Sequence, residues 1–427
     1  MGNERESERD APGVVPSASE PATGTPIFRS TSIIERLSAA ALLPRPERRA
    51  AAESPGTPSF ARGLWRIAAA DVSSGNRVAL LHDGIETFSA MLELIERAER
   101  SVNLEGYIFR DDEVGRQFAD ALTAAAARGV EVRLLVDWIG RMGTPMRFFK
   151  AIRRGGVQVR LFNPPGFRRW LGLVPRDHRK LLVVDDRAGV TGGIGIGREW
   201  KTGVLQRRRA PWRDTGVLIE GDAANDMVQA FDHMWRRAGG GERRGSHRHL
   251  TRPARSTHLD PSVHPPALVG IIEGEPGRFR ISRALQIQAV SAERTIWIAS
   301  AYFTPSPSEV EALTGAARDG VDVRVLVPSR YDHPWIRLAT RRFYRRLLLN
   351  GVRIWEWRGE MMHAKTSVVD NRWTRIGSTD YNPLGIAINF ELDAVIEDQV
   401  LGAQAADMFL ADLEQSKEIT IRSVVAR

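Results

Sequence analysis

Histidine and lysine recur at one fixed spacing in two copies of a short motif. The motif reads His, any residue, Lys, four residues, Asp, and its members are His178, Lys180, Asp185, His363, Lys365 and Asp370. A neutral imidazole can attack phosphorus and form a covalent phosphohistidine. A second imidazole can protonate the leaving group and deprotonate the incoming one, while lysines neutralise the transition-state charge. The two motifs therefore predict a phosphoryl-transfer site that requires no metal and no cofactor.

Lysine is rare in this chain, so chance is a poor explanation of the repeated motif. Only five of the 61 basic residues are lysines, and the chain has nine histidines. Two of these lysines and two of these histidines nevertheless occupy equivalent motif positions. We therefore interpret both motifs as functional.

The composition of the 427 residues limits the possible partners and chemistry. The chain has no cysteine, which excludes disulfides, thiolate nucleophiles and zinc–thiolate sites. Its net charge of +9 favours anionic partners, either nucleic acid or acidic lipid. The sequence has no apolar run of about 18 residues, and its polar N-terminus lacks a signal-peptide core. We therefore expect any membrane contact to be peripheral.

The similarity between the two halves extends beyond the motif. Three further pairs of segments match in the same order: 98–109 with 292–303, 127–136 with 317–327, and 155–162 with 350–357. Such a repeat indicates one α/β unit present twice. A pseudo-twofold relation would bring both His/Lys pairs to the interface of the units. We therefore expect the active site to form within one chain.

Each repeat alternates strand, helix and strand. SVNLEGYIF and TIWIASAYF are typical of buried strands, and the segments 112–129 and 308–320 that follow are typical of helices ending at glycine. The predicted fold class is α/β, with two pseudo-twofold-related α/β/α lobes. Each lobe would hold a mixed, mostly parallel sheet with helices on both faces. In the motif strands, His and Lys two residues apart would share one face.

The composition also predicts the domain boundaries. Residues 1–60 are rich in Ser, Pro, Ala, Arg and Glu, which predicts a mostly disordered tail. Within them, 32–43 has the pattern of a short amphipathic helix. The first lobe would span 61–237 and the second 263–427. Gly, Pro and basic residues cluster between them, so 238–262 is predicted to be a linker.

With this motif present twice, the chain resembles the phospholipase D superfamily. The segments GYIFRDDEVGRQFADALTAAAARGVEVRLLVD, WRDTGVLIEG and GSTDYNPLG are similar to bacterial cardiolipin synthases that lack transmembrane helices, and the resemblance covers about residues 75–415. It implies two phospholipase D-like lobes and transfer of a phosphatidyl group between two molecules of phosphatidylglycerol, giving cardiolipin and glycerol. It also implies a peripheral location on the cytoplasmic side of a bacterial inner membrane.

The resemblance further implies roles for individual residues. A carboxylate later in each half would orient the histidine of that half, so Glu391 is expected at His363 and Asp214 at His178. Asp185 and Asp370 would serve structure, and strand alternation agrees for Asp185. His178 is expected to be the nucleophile and His363 the general acid and base, although the symmetry permits the reverse.

After each motif the chain departs from the resembling family. That family usually continues with Gly-Gly or Gly-Ser, one residue, then an Asn that contacts phosphate; here Gly195 and Asp380 occupy the Asn positions. Ser378 is retained and is expected, with Gly193 in TGGIGIG, to bind the substrate phosphate through hydroxyl and backbone N–H groups. An equally good interpretation of TGGIGIG is a tight turn. A carboxylate at position 380 would repel phosphate unless turned away or protonated.

Two segments near the motifs suit a lipid surface. The segment 163–180 combines aromatic, aliphatic and basic residues, namely Phe167, Trp170, Leu171, Leu173, Arg168 and Arg169. A packed lid over the site explains it equally well. The segment 332–351 predicts a helix with an apolar face and a basic face, namely Ile336, Phe343 and Leu347, then Arg337, Arg341, Arg345 and Arg346. Such a helix either packs on its own domain or docks on anionic lipid.

Three other functions remain open from the sequence. A hydrolytic phospholipase D would use the same residues with water as the acceptor. A nuclease would use the same histidine chemistry, but we find no strand face combining aromatic and basic residues and do not expect nucleic acid as a partner. A lipid- or phosphate-binding relative without turnover would fit the missing asparagines. Neither the oligomeric state nor the preferred acceptor follows from the sequence.

Overall fold

The structure is a computed structural model that describes residues 68, 70, 72–165, 175–201, 210–241 and 266–425. Several of the predicted features lie outside these residues. They are the tail 1–60 with its segment 32–43, most of the linker 238–262, and the aromatic and basic residues at 167–173. The domain boundaries drawn from composition therefore stay predictions.

The first repeat contains seven strands and four helices in the described range. They are β1 (Val72–Leu81), α1 (Gly84–Glu96), β2 (Ser101–Gly106), α2 (Glu113–Ala127), β3 (Glu131–Asp137), α3 (Met146–Arg154), β4 (Gln158–Phe162), β5 (Lys180–Val184), β6 (Ala188–Gly192), β7 (Gly216–Glu220) and α4 (Ala223–Arg237). A short 3₁₀ helix, Arg198–Trp200, lies between β6 and β7.

The second repeat follows the same order and adds a final strand and helix. Its elements are β8 (Ala267–Gly274), α5 (Arg280–Ser291), β9 (Thr295–Ser300), α6 (Pro307–Arg318), β10 (Asp322–Pro328), α7 (Pro334–Leu349), β11 (Arg353–Trp357), β12 (Lys365–Val369), β13 (Trp373–Gly377), β14 (Glu391–Glu397), α8 (Gln399–Glu414), β15 (Ser416–Ile419) and α9 (Ile421–Val425). A single-turn π-helix, Leu384–Ile388, precedes β14.

The strands form one continuous sheet through both repeats. Their order is β15-β11-β10-β9-β12-β13-β14-β8-β1-β7-β6-β5-β2-β3-β4, so the two repeats read alike outward from the central pair β8 and β1. This order confirms the duplicated α/β unit. Because β1 and β8 pair directly, the two motif strands β5 and β12 occupy equivalent positions on either side of the centre.

The mixed sheet is confirmed, but the expectation that it is mostly parallel is wrong. Among the strands that the structure describes, parallel pairing joins β2-β3-β4 and β9-β10-β11 only. Strands β5 to β7 and β12 to β14 are antiparallel to their neighbours. The motif aspartates explain the difference, because Asp185 and Asp370 adopt φ of 53° and begin tight turns. Such turns can join only antiparallel strands, and aspartate tolerates the left-handed conformation better than most residues.

Helices cover both faces of the sheet, as predicted. Helices α1, α2 and α3 pack on the first repeat in one apolar cluster, and α5, α6 and α7 pack on the second repeat in another. Helices α4 and α8 contribute to a third cluster, which contains buried strand residues from both repeats. This shared cluster fixes the two repeats relative to each other, and so it also fixes the motif strands.

None of the helices in the described ranges combines the length and the apolar character that a bilayer span requires.

Candidate active site

The two motif histidines and the two motif lysines converge on one site. Burial lowers the pKa of His178 well below its ordinary value, and the charges of Lys180, Lys365 and His363 lower it further. The backbone agrees, because Asp177 pairs with Phe390 and Arg213 pairs with Met362, so the residue before each histidine is bridged to the opposite repeat. The structure therefore brings both copies of the motif into a single site within one chain.

Backbone bonds between the repeats hold the two histidines in place. The N–H of His178 donates to the carbonyl of Phe390 at 2.9 Å, and the N–H of His363 donates to the carbonyl of Arg213 at 2.7 Å. Phe390 directly precedes Glu391, and Arg213 directly precedes Asp214. Each histidine is thus tied to the residue that precedes the carboxylate of the other repeat.

The histidine–carboxylate pairs are therefore crossed between the repeats. His178 Nδ1 lies 3.1 Å from both carboxylate oxygens of Glu391. His363 Nδ1 lies 2.7 Å from Oδ2 of Asp214. The expectation that each carboxylate orients the histidine of its own half is wrong. The physical reason is the exchange of backbone bonds, which carries each carboxylate across the interface.

Hydrogen bonds orient Glu391 from its other side. The hydroxyl of Ser378 donates to Oε2 of Glu391 at 2.5 Å and accepts from the N–H of Leu392 at 3.0 Å. Burial raises the pKa of Glu391 well above its ordinary value, against the effect of Lys180. An oxygen of Glu391 accepts a hydrogen bond from Nδ1–H of His178 in the tautomer whose Nε2 keeps its lone pair.

Asp214 is held more strongly than Glu391. It accepts from the indole N–H of Trp200 at 2.9 Å and from the N–H of Thr215 at 2.9 Å. Burial acts to raise its pKa, but His363, Lys365 and Trp200 outweigh burial, and the pKa is lowered. Asp214 is therefore ionised, and the short bond to it favours the protonated form of His363.

Both lysines reach back along their own motif. Lys180 Nζ donates to the carbonyl of His178 at 2.5 Å, and Lys365 Nζ donates to that of His363 at 2.6 Å. This arrangement agrees with the prediction that residues i and i+2 share one face. Burial lowers the pKa of Lys180 to about 8. A buried ammonium of this kind would gain strongly from a phosphate anion.

The motif aspartates serve the turns and are not brought into the site. The carboxylate of Asp185 accepts from the N–H groups of Glu99, Arg100 and Ser101 at 2.7 to 3.0 Å. Asp370 makes the equivalent bonds to the N–H groups of residues 293–295 at 2.8 to 2.9 Å. Each aspartate therefore joins the far end of its motif strand to the start of the neighbouring strand.

The structure places Ser378 and Gly193 behind the carboxylates, which differs from the predicted contact with phosphate. The Ser378 hydroxyl is buried and committed to Glu391 and Leu392. The N–H of Gly193 donates to the carbonyl of Thr215 at 3.2 Å. A Cβ at Gly193 would collide with the Asp214 carboxylate. The two positions are equivalent, and each one accommodates the carboxylate on its side of the site.

Aromatic residues around the histidines were missed from the sequence. The rings of Tyr107 and His178 have centroids 5.1 Å apart, and those of Tyr302 and His363 have centroids 6.2 Å apart. The rings of Trp200 and Trp212 lie 5.7 and 5.4 Å from that of His363. Only Trp212 had a usable signal, since it lies two residues before Asp214. Trp200 is brought to Asp214 only by the fold, so the sequence carries no signal for it.

Comparison with known proteins decides the family. The model for "Cardiolipin synthase, PLD-like domain" matches residues 91–235 and 286–413. The major cardiolipin synthase ClsA of Bacillus subtilis is 31% identical over 357 residues, which cover 82% of this chain and 72% of that protein. This chain belongs to the cardiolipin synthase family. Cardiolipin synthase A of Pseudomonas syringae is also 31% identical, over 84% of this chain and 73% of its own length.

Solved structures show the same fold at lower identity. Phosphatidylserine synthase of Haemophilus influenzae matches with a TM-score of 0.63 and 15% identity, over 84% of this chain and 92% of that one. Polyphosphate kinase of Porphyromonas gingivalis matches with a TM-score of 0.54 and 14% identity, over 86% of this chain and 50% of that one. The predicted membership of the phospholipase D superfamily is confirmed, and the chain is a cardiolipin synthase-like phosphatidyltransferase.

Asp380 occupies the position where the resembling family usually has an asparagine. Its side chain forms a buried ion pair with Lys365. Its Oδ2 lies 3.3 Å from Lys365 Nζ. Its Oδ1 accepts from the hydroxyl of Ser300 at 3.0 Å and from the N–H of Tyr302 at 2.9 Å. The carboxylate is therefore turned onto a lysine, which removes the repulsion expected from the sequence.

The equivalent position in the first repeat has no carboxylate. Gly195 takes the place of Asp380, and a Cβ there would lie 2.8 Å from the Trp200 ring. A cavity of about 20 Å³ lies beside Lys180 and Gly195, enough for about one water molecule. Across the described part of the chain, Lys180 makes no ion pair like that of Lys365. The two lysines are therefore inequivalent, and Lys180 offers the more available charge to a phosphate.

This inequivalence predicts that Asp380→Asn tightens the binding of a phosphate anion. The amide can still accept from Ser300 and from the Tyr302 N–H, while the charge of Lys365 loses its partner. We expect the inhibition constant of inorganic phosphate to fall about tenfold. The measurement is competitive inhibition of turnover. Ser300→Ala, which removes a bond to Asp380 without changing charge, is the control, and an unchanged constant in Asp380→Asn would contradict the prediction.

Proposed function

We propose that the chain transfers a phosphatidyl group from one phosphatidylglycerol to another through a phosphohistidine on His178. The products are cardiolipin and glycerol. The observation that carries this proposal is the crossed arrangement, in which one site holds two histidines with differently tuned carboxylates. The membership in the cardiolipin synthase family supports the choice of phosphatidylglycerol.

The first half-reaction forms the covalent intermediate. Nε2 of neutral His178 attacks phosphorus, and the bond from phosphorus to the glycerol oxygen breaks. Protonated His363 donates its Nε2 proton to that oxygen, so glycerol leaves as a neutral alcohol. Lys180 and Lys365 neutralise the phosphate oxygens as charge develops on them.

The second half-reaction reverses these roles. His363, now neutral, accepts the proton of a hydroxyl group of the second phosphatidylglycerol. The resulting oxygen attacks phosphorus, and the bond to Nε2 of His178 breaks. The enzyme returns to its starting protonation state, since His363 regains the proton that it gave to glycerol.

The electrostatics support His178 as the nucleophile. Burial and the charges around it lower its pKa strongly, so the ring is neutral and nucleophilic. Burial and the charge of Lys365 also lower the pKa of His363, but Asp214 and Asp380 act against them, and the lowering is weaker than at His178. The general acid must be protonated at the start of the reaction. His363 fits this role better, because it is bonded to Asp214, whose carboxylate is ionised.

The proposed location is the cytoplasmic surface of a bacterial inner membrane, held peripherally. A lipid substrate resides in the bilayer, and the net charge of +9 favours an anionic leaflet. The organisms of the matched relatives are bacteria.

The test uses purified protein on phosphatidylglycerol vesicles. Cardiolipin, phosphatidic acid and glycerol are measured together, with His178→Ala as the control. Cardiolipin and glycerol, both lost in the variant, are expected. Phosphatidic acid without cardiolipin would show a hydrolase instead, and no product from phosphatidylglycerol would refute the proposed substrate.

A further inference from the structure

Helix α7 has an apolar outer surface as well as an apolar inner one. Ile336 and Leu347 are buried against the second repeat, as an amphipathic helix requires. Trp335 and Leu338, one turn apart, are nevertheless 63% and 71% exposed. Packing on its own domain therefore leaves part of the apolar character of this helix unexplained.

The exposed end of α7 lies next to the active site. Just before the helix, Asp332 accepts a hydrogen bond from the hydroxyl of Tyr302 at 2.7 Å. The ring of Tyr302 lies 6.2 Å from that of His363 and 5.7 Å from Lys365 Nζ. Trp335 is thus three residues from a side chain that contacts the wall of the site.

A second exposed apolar residue approaches the same tyrosine. The side chain of Asn382 donates to the carbonyl of Tyr302 at 3.4 Å and accepts from the N–H of Gly385 at 2.8 Å. Between them in sequence, Leu384 is 51% exposed at the start of the π-helix. Leu384 thus lies in the segment that leads into Glu391 and that is bonded to the same tyrosine as α7.

The first repeat contributes an exposed apolar residue as well. Met142 is 62% exposed. It lies in the loop after β3, where Gly140 packs directly on the carbonyl of Tyr107. The ring of Tyr107 in turn lies 5.1 Å from that of His178. Single exposed apolar residues are ordinary, but here each of three separate segments is linked to a tyrosine that lies beside one of the two histidines.

Positive charge accompanies these apolar residues. Helix α7 has no acidic residue, and Arg337, Arg342 and Arg345 are exposed along it. By contrast, Arg341 turns inward to pair with Glu356 at 2.9 Å. Arg337, Arg342 and Arg345 form no ion pair with any residue that the structure describes. A tryptophan and aliphatic residues beside such arginines match the boundary of an anionic bilayer, where apolar side chains enter the interface and guanidinium groups bind phosphates.

We propose that this docking rim, defined as Trp335, Leu338, Leu384 and Met142, inserts into the surface of an anionic phospholipid bilayer. The arginines of α7 bind the lipid phosphates beside it. The proposal rests on the proposed function and deepens it, because it sets the site opening against the membrane that holds the substrate.

The test compares two double variants. Trp335→Ala with Leu338→Ala removes the apolar part of α7, and Val290→Ala with Val400→Ala removes two exposed apolar residues elsewhere as a matched control. Co-sedimentation with vesicles of phosphatidylglycerol and phosphatidylcholine measures docking. Turnover is measured on these vesicles and on a short-chain phosphatidylglycerol below its micelle concentration.

We expect the α7 variant to bind vesicles about tenfold more weakly and to lose a similar factor of turnover on them. Its turnover of the monomeric substrate should stay within about twofold of wild type, and the control should match wild type throughout. A second variant, Arg342→Gln with Arg345→Gln, should weaken binding only to the anionic vesicles.

Three results would overturn the proposal. The first is unchanged vesicle binding in the α7 variant. The second is an equal loss of turnover on monomeric and vesicle substrates, which would make α7 part of the site. The third is a loss of self-association in place of vesicle binding, measured by sedimentation velocity, which would make the rim a contact between copies. Vesicle binding without turnover of either substrate by wild type would refute the proposed function and leave the docking result intact.

Discussion

His178→Ala is expected to abolish the covalent phosphoenzyme, whereas His363→Ala is expected to form it when the leaving group needs no proton. Without Nε2 of His178 there is no nucleophile, so every substrate should lose about 10⁴-fold or more in rate. Without His363 the glycerol oxygen cannot be protonated as it leaves, which should cost about 10³-fold on phosphatidylglycerol. An aryl phosphodiester leaves as a stabilised anion and should lose no more than about tenfold.

Rapid quench with intact-mass detection of the phosphoenzyme measures this difference, and burst kinetics of the aryl product confirm it. Thermal melting of both variants is the control for folding. The burst should persist in His363→Ala and be absent in His178→Ala. If the burst is instead lost only in His363→Ala, the nucleophile is His363 and the roles permitted by the symmetry are exchanged.

The repeat made much of this site predictable, because lysine and histidine are rare in this chain and yet recur at the same spacing in both halves. This pattern can be recognised without knowledge of the fold. The motif pairs and the duplicated unit follow from the order of segments alone, whereas the structural role of the motif aspartates was implied by the resemblance. Strand direction was harder. The motif strands are buried on both faces, and burial of this kind is typical of parallel sheets, but the tight turns at Asp185 and Asp370 force antiparallel neighbours.

Which carboxylate contacts which histidine could not be predicted from the sequence, for a different reason. Asp214 and Glu391 were named as candidates, but the resemblance assigned each to the histidine of its own half. The partner is decided by two backbone contacts between the repeats, His178 with Phe390 and His363 with Arg213. Such contacts depend on the packing of the two repeats, which no periodicity in either repeat records.

Glu391→Gln and Asp214→Asn are expected to disable different histidines, each in the opposite repeat. Asp214→Asn withdraws the charge that holds the proton on His363, so it should resemble His363→Ala and keep the burst with an aryl phosphodiester. Glu391→Gln keeps an oxygen that can accept from Nδ1 of His178 but removes the negative charge beside the ring, so it should weaken His178 as the nucleophile and reduce the burst. Each variant should lose about 10²- to 10⁴-fold on phosphatidylglycerol.

Double variants separate the crossed arrangement from the one within each half. If Asp214 acts through His363, adding Asp214→Asn to His363→Ala should cost little more than His363→Ala alone, because residues that act as a unit are not additive. Adding Asp214→Asn to His178→Ala would be uninformative, because His178→Ala has almost no turnover to lose. The second comparison is therefore the burst size of Asp214→Asn against that of Glu391→Gln. Glu391→Gln with a full burst, or Asp214→Asn with none, would contradict the crossed pairs. The expected pattern would instead show that each repeat supplies the nucleophile or the acid, and that its partner repeat supplies the charge that sets its protonation.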